Sequence, residues 1–406
     1  MTVRVSKPEF NLREKLSELD KPTGVKGLDL MGSDTAQKAR NLIGAGRKNK
    51  VINGDMRISQ RGTTFSNIGG STEVYTLDRF KLQTNDLDQA VATISQDSSA
   101  PDGFSKSLKI QCDTAETAVE NSEHARLMYD GEAFDFTDIG FGTPSAKKVT
   151  LSFWVKSNLT GTWGINFWRG DANRSNLRTY TINNANTWEH KVMTLSADPT
   201  GGVVNSDNGF GFRINWGLAT GANFATSHPL DTWHGFQQQY FYPYDARNTN
   251  FYSSTSNNFY LTGVQLEVSD VATEFEHRHY KEELELCQRY FSVYHACTQE
   301  WIYFESSINN HKWWQTYVPT GMRGEPSVTL KGTCSTNNIS AGGGTISGLS
   351  VQAIDNGGNS GTTHPGSMGR VSYRVTFSGS HGDAYQIRHT DGWGNGAGWV
   401  EYDSEL

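Results

Sequence analysis

The stretch Val149-Thr-Leu-Ser-Phe-Trp-Val-Lys156 sets the period of this chain: Val149, Leu151, Phe153 and Val155 alternate with Thr150, Ser152, Trp154 and Lys156. Strict alternation marks a half-buried β-strand, because successive side chains leave opposite faces of the sheet. The same pattern returns where Phe210, Phe212, Ile214 and Trp216 alternate across Gly211, Arg213 and Asn215. Further strand-like runs lie at Val74–Gln83, Ser107–Cys112, Trp163–Trp168, Arg178–Ile182, Trp188–Leu195 and Phe259–Val268, with Gly-, Asn- and Asp-rich turns between them. Many short strands punctuated by turns predict a mainly β protein, a jelly-roll β-sandwich over residues 49–279. In the last run Phe259 and Leu261 share one parity while Val264, Leu266 and Val268 take the other. A bulge at Gly263 would reset the register.

On either side the period is helical. Ser6 to Glu9 reads as a capping box, and Leu12, Leu16 and Leu19 then form a short apolar stripe. A second short helix carries Ala36, Ala39, Leu42 and Ile43 up to Gly44-Ala-Gly46. Helices this short need a surface to bury on, so residues 1–48 read as an attachment segment or as an arm folded on the next domain. From Lys281, Leu284, Cys287, Phe291 and Tyr294 follow a 3-4-3 spacing, which predicts a connector helix over 280–300 that packs on copies of itself around an oligomer axis. Residues 301–406 read as a smaller C-terminal β domain, with Val371, Tyr373, Val375 and Phe377 alternating and exposed loops in the Gly-rich stretch Ala341–Gly361.

Composition narrows the function. The 406 residues carry a net charge of −7 with no basic block beyond Arg47, Lys48 and Lys50, which argues against a dedicated nucleic-acid binder. No apolar run approaches the roughly 20 residues of a spanning helix, so no membrane insertion is expected. The charged N-terminal stretch lacks the apolar core of a secretory signal, which predicts cytoplasmic synthesis. Four cysteines without metal spacing read as reduced thiols. The sequence has no GxSxG elbow, P-loop, HExxH or EF-hand loop, so no enzyme activity, cofactor or metal is expected. His277 and His279 read as a surface pair, and Asp86 and Asp88 as turn carboxylates. Asn53-Gly-Asp55 and Gln265-Leu-Glu267 could gather oxygen ligands for a hard cation where the first and last strands meet, or simply be turns.

Aromatic residues make up 12% of the chain and cluster in irregular stretches. Residues 228–252 hold Trp233, Tyr240, Tyr242 and Tyr244 among Gln, Asp, Arg and Asn, which suits either a core edge or flat rings offered to sugar faces. Gly392-Trp-Gly-Asn-Gly-Ala-Gly-Trp399 puts Trp393 and Trp399 in a loop whose glycines allow close approach, a candidate exposed tip.

An ordered set of motifs also carries a resemblance. Val51-Ile-Asn-Gly-Asp-Met56, Gln60-Arg-Gly62, Tyr75-Thr-Leu-Asp-Arg-Phe80, Ser152-Phe-Trp-Val-Lys-Ser157, Tyr180-Thr-Ile-Asn183, Leu261-Thr-Gly-Val-Gln-Leu-Glu267, Phe275-Glu-His-Arg278 and Cys287-Gln-Arg-Tyr290 resemble a string found in tail-fibre and minor structural proteins of short-tailed marine bacteriophages. The resemblance spans about residues 51–290. It implies a carbohydrate-binding-like jelly roll, non-enzymatic host-surface recognition through a glycan, and a homotrimeric appendage located on the virion. Leu12, Leu16, Leu19 and Leu42 are then the candidate anchor to a tail adaptor, hub or capsid, and Leu284, Cys287, Phe291 and Tyr294 the candidate trimer seam. A head fibre or capsid decoration protein with a purely structural role is the alternative.

Overall fold

The computed structural model describes residues 48–226, 228–235, 242–243, 249–294, 301–302, 311–317, 321–324, 326–331, 334–338, 344–355, 370–377, 385–389 and 399–406. The expected anchor residues Leu12, Leu16, Leu19 and Leu42 lie outside them.

The protein is mainly β. Its large sheet is built from β1 (Thr64–Tyr75), β2 (Phe80–Asp97), β3 (Ser107–Thr114), β4 (His124–Glu132), β5 (Val149–Ser157), β6 (Gly161–Arg169), β7 (Arg174–Ile182), β8 (Glu189–Leu195) and β9 (Phe210–Thr220). Short strands β10 (Ala225–Thr226), β11 (Trp233–Gly235) and β12 (Tyr242–Pro243) precede β13 (Asn258–Glu267). The hydrogen-bonded order is β11-β7-β6-β9-β4-β2-β3-β13-β5-β8, with β1 also on β2. Strand β2 makes the corner: Phe80–Asn85 pair with β4, and Val91–Asp97 pair with β3. The sheet therefore folds over itself into two layers. Phe153 of β5 meets Tyr180 of β7 at 5.2 Å and Trp216 of β9 at 6.0 Å, while Trp163 of β6 meets Phe259 of β13 at 5.3 Å.

The core follows the alternation in the sequence. Val149, Leu151, Phe153 and Val155 are all fully buried between the layers, each contributing about 1.5–3 kcal/mol relative to exposure. The β6–β9 region departs from the half-buried expectation, since Asn166 and Asn215 are buried on its other face. There Asn215 Nδ2 donates to Asn166 Oδ1 at 3.0 Å, so the two amides offset part of each other's desolvation. Ionic groups are buried in the same paired manner. Asp130 accepts from Arg213 and Lys81, at 2.8 Å each.

Residues 48–58 precede the first strand as a buried, turn-rich strap rather than opening it. Lys50 N–H donates to Leu266 O at 2.8 Å and Val264 N–H to Gly54 O at 2.9 Å, lacing the strap to β13. Gly54 is required there, because a Cβ would lie 2.1 Å from Val264 O.

Helix α1 covers Tyr280–Gln288 only, and Phe291–Tyr294 is a strand, β14. His279 caps the helix by accepting from Lys281 N–H, and Glu282 and Glu283 sit favourably in its first turn. The expected 280–300 helix and its seam are thus corrected. Leu284 and Cys287 pack on Ile52, Ile58 and Tyr290 of the same chain, with Cys287 fully buried. Phe291 is buried in β14 beneath the Arg61 guanidinium, which lies 3.7 Å from its ring centre. Tyr294 ends the same strand.

Beyond β14 the strands are β15 (Trp301–Ile302), β16 (His311–Tyr317), β17 (Ser327–Lys331), β18 (Cys334–Asn338), β19 (Gly344–Asp355), β20 (Arg370–Phe377), β21 (Tyr385–His389) and β22 (Trp399–Asp403). They form a six-stranded sheet, β15-β21-β18-β19-β20-β16, and a three-stranded sheet, β14-β22-β17. The predicted alternation at 371–377 is β20. Part of the Gly-rich stretch, expected as loops, is strand β19. The last residues return to the sandwich, where Glu405 pairs with Arg61 and Arg79.

Candidate functional site

Strand β5 turns Ser152, Trp154 and Lys156 away from the core. Trp154 lies opposite His190 of β8 and Thr262 of β13, and its ring is 5.0 Å from the His190 ring. Beside it β13 bulges, with its register shifting between Thr262 and Gln265 and Gly263 at φ +61°. The bulge expected from the parity switch is therefore present. Its consequence is a slot, because a Cβ at Gly263 would lie 2.8 Å from Phe104 and 2.9 Å from Trp154.

Two loops wall the slot. Pro101 to Phe104 is a turn closed by Phe104 N–H to Pro101 O at 3.0 Å, with Gly103 at φ +88° as a type II turn requires. Opposite, Phe275 and His277 stand against Phe104, with ring centres 5.0 and 5.3 Å away. The second loop is held from below. Glu267 accepts from Thr273 N–H at 2.9 Å and Thr273 Oγ1 at 2.8 Å, and Gln265 accepts from Glu276 N–H at 2.8 Å. Gln265 and Glu267 thus position a wall of the groove. Asn53 likewise spends its amide on Ile58 O, Asp78 O and Ile58 N–H. Among the described residues no group of three or more His, Cys, Asp or Glu is placed to hold a metal ion.

The result is a groove of about 390 Å³, lined by Phe104, Trp154, Phe275, His190 and His277 with Asp102, Ser152, Thr273 and Glu274 between the rings. Burial lowers the pKa of His190, which favours the neutral ring, and also lowers that of Lys156. The half-buried rings of Phe104, Trp154 and Phe275, interleaved with hydrogen-bonding groups, suit a ligand having both apolar faces and polar edges.

The residues singled out in the sequence fall elsewhere. Trp233 is corrected: it is 8% exposed, its Nε1–H donates to Ser196 O at 2.8 Å, and its ring packs edge-on to Phe141 at 5.5 Å. Tyr242 contributes to β12, which pairs with β10. Tyr240, Tyr244 and Trp393 lie outside the described residues. Trp399 opens strand β22 opposite Lys331 rather than ending a glycine loop. The sequence placed Trp154 on the outward parity and His277 at the surface, but nothing local joined them to Phe104.

No protein-family model and no curated protein matches the sequence. Among solved structures, the enzymatically active domain of bacteriophage CBA120 tailspike protein 4 is similar over 54% of this chain, at 12% identity and a TM-score of 0.29. The chain spans only 21% of that domain's length. A family 11 carbohydrate-binding module of the Clostridium thermocellum cellulase Lic26A-Cel5E is similar over 58% of this chain and 100% of its own, at 11% identity and a TM-score of 0.26. The CBM22-1–GH10 modules of C. thermocellum endo-1,4-β-D-xylanase 10B are similar over 57% of this chain and 30% of theirs, at 12% identity and a TM-score of 0.26. The groove's own side chains, not these likenesses, carry the functional reading.

Proposed function

We propose that this chain is a non-catalytic glycan-binding protein of a phage virion appendage, a tail fibre or tail-associated protein that attaches to the host surface. The observation that carries the binding reading is the ring-walled groove beside Gly263. A sugar ring offers C–H faces to Trp154, Phe104 and Phe275, and hydroxyls to Asp102, Ser152, Thr273 and Glu274. The ordered motifs between residues 51 and 290 support the appendage. A homotrimer would present three such grooves at once and gain avidity without new contacts.

The test is Trp154→Ala in the full chain, with binding to host-surface polysaccharide measured alongside the melting temperature. The expected loss is roughly 2 kcal/mol, about thirtyfold in Kd, with folding retained. Undiminished binding by a folded Trp154→Ala protein would remove the groove from the proposal. New reducing ends after incubation with polysaccharide would make the protein an enzyme instead.

A further inference from the structure

Just past Trp154 the open face of the sheet carries a row that crosses three strands and ends at the turn before β8. Lys109 of β3, Tyr260 of β13 and Lys156 of β5 are register neighbours, and Trp188 lies immediately before β8. Lys156 Nζ stands 4.1 Å from the Tyr260 ring centre and 5.1 Å from that of Trp188, and Lys109 Nζ stands 5.7 Å from Tyr260. Among the described residues neither lysine has a carboxylate within ion-pair distance. Lys156 Nζ donates to Ser99 Oγ at 2.7 Å, and the nearby Asp97 is engaged by the Ser99 N–H at 2.7 Å. Lys109 and Lys156 flank Tyr260, and Asp97 attracts Lys156 and offsets one of the two charges, so the row keeps a net positive charge that favours an anion. The groove's acids, Asp102 and Glu274, belong to its lining around Trp154. Trp154 and Lys156 are two residues apart on β5, roughly 6.6 Å, on the scale of one sugar unit.

We propose that the ligand is an acidic polysaccharide whose uronate carboxylate is taken by Lys109 and Lys156 while an adjoining sugar stacks in the groove at Trp154. This rests on the glycan reading above and names its substrate class.

The test compares hyaluronan and alginate oligosaccharides with neutral laminari- and cello-oligosaccharides by calorimetry on the full chain, at low and high salt. The uronate oligosaccharides are expected to bind, and to weaken as salt screens the lysines. Lys156→Met, which keeps the stem on both rings, should weaken them roughly tenfold, and Lys156→Arg should restore them. Neutral oligosaccharides should be indifferent to either change. Equal or tighter binding of the neutral class, or equal effects of Lys156→Met on both classes, would overturn the acidic assignment and leave the glycan groove standing. If Trp154→Ala is without effect, the groove leaves the proposed function and this proposal falls with it; if no oligosaccharide of either class binds, the acidic assignment falls.

Discussion

His124, at the start of β4, is where this protein should feel pH. It is buried, with its ring 4.2 Å from that of Phe224. Burial, aided by the neighbouring Arg126 charge, pulls its pKa from 6.5 to about 3. The folded state holds this imidazole neutral, so its contribution to stability is complete above pH 6.5 and is lost as pH falls toward 3. Asp130 on the same strand acts lower down. Burial pushes its carboxyl up, but Arg213 and Lys81 outweigh that and hold it at about 2 instead of 3.8. Its contribution, on the order of 2 kcal/mol, is present above 3.8 and lost as pH falls through about 2. The urea-midpoint difference between the parent and His124→Gln should therefore shift against the parent as pH falls from 7 to 4, with the Asp130 loss below pH 4 common to both. A parent-to-variant difference that stays constant over that range would contradict a neutral buried His124.

Among the elements, β13 holds the groove open through its bulge. Gly263→Ala forces an L side chain to φ +61° and drives its Cβ into Phe104 and Trp154. Destabilisation of about 1–3 kcal/mol is expected, with a change in tryptophan emission as Trp154 shifts; a variant as stable as the parent would mean that the slot is not as tight as described. This bulge was legible because Phe259 and Leu261 disagree in parity with Val264 and Leu266. The end of α1 was not. Leu284, Cys287, Phe291 and Tyr294 fit a helical period, yet Phe291-Ser-Val-Tyr294 fits a strand equally well. What decides between them is pairing with β22, in which Phe291 meets Asp403, and no local pattern reports a partner so distant in sequence. The groove was hidden for the same reason. Phe104, Trp154 and Phe275 come from separate turns and strands, whereas the dense aromatic run at 228–252 drew attention to Trp233, a core residue.

At the scale of the whole molecule, the segment around Glu405 braces the sandwich. Arg79 is fully buried, stacked 3.4 Å from the Tyr290 ring centre and paired with Glu405. Arg323 donates to Ser404 O at 2.6 Å and Glu405 O at 2.8 Å, fixing the same stretch from the other side. Glu405→Gln removes the counter-charge of a buried guanidinium and should cost about 3–5 kcal/mol. Denaturation that shifts by less than about 1 kcal/mol would show that water reaches Arg79 and that the brace carries little.

That brace also imposes an order in time. Arg61 and Glu405 are separated by 344 positions, and Arg79 and Glu405 by 326. During synthesis the strands of the sandwich leave the ribosome before Glu405 does, so Arg79 waits without that partner while the intervening positions are made. Contacts of such long range form late. Copies cut short upstream of Glu405 would leave the buried Arg79 guanidinium with the Asp130 carbonyl and the Tyr290 ring but without that counter-charge, a place for easier local opening.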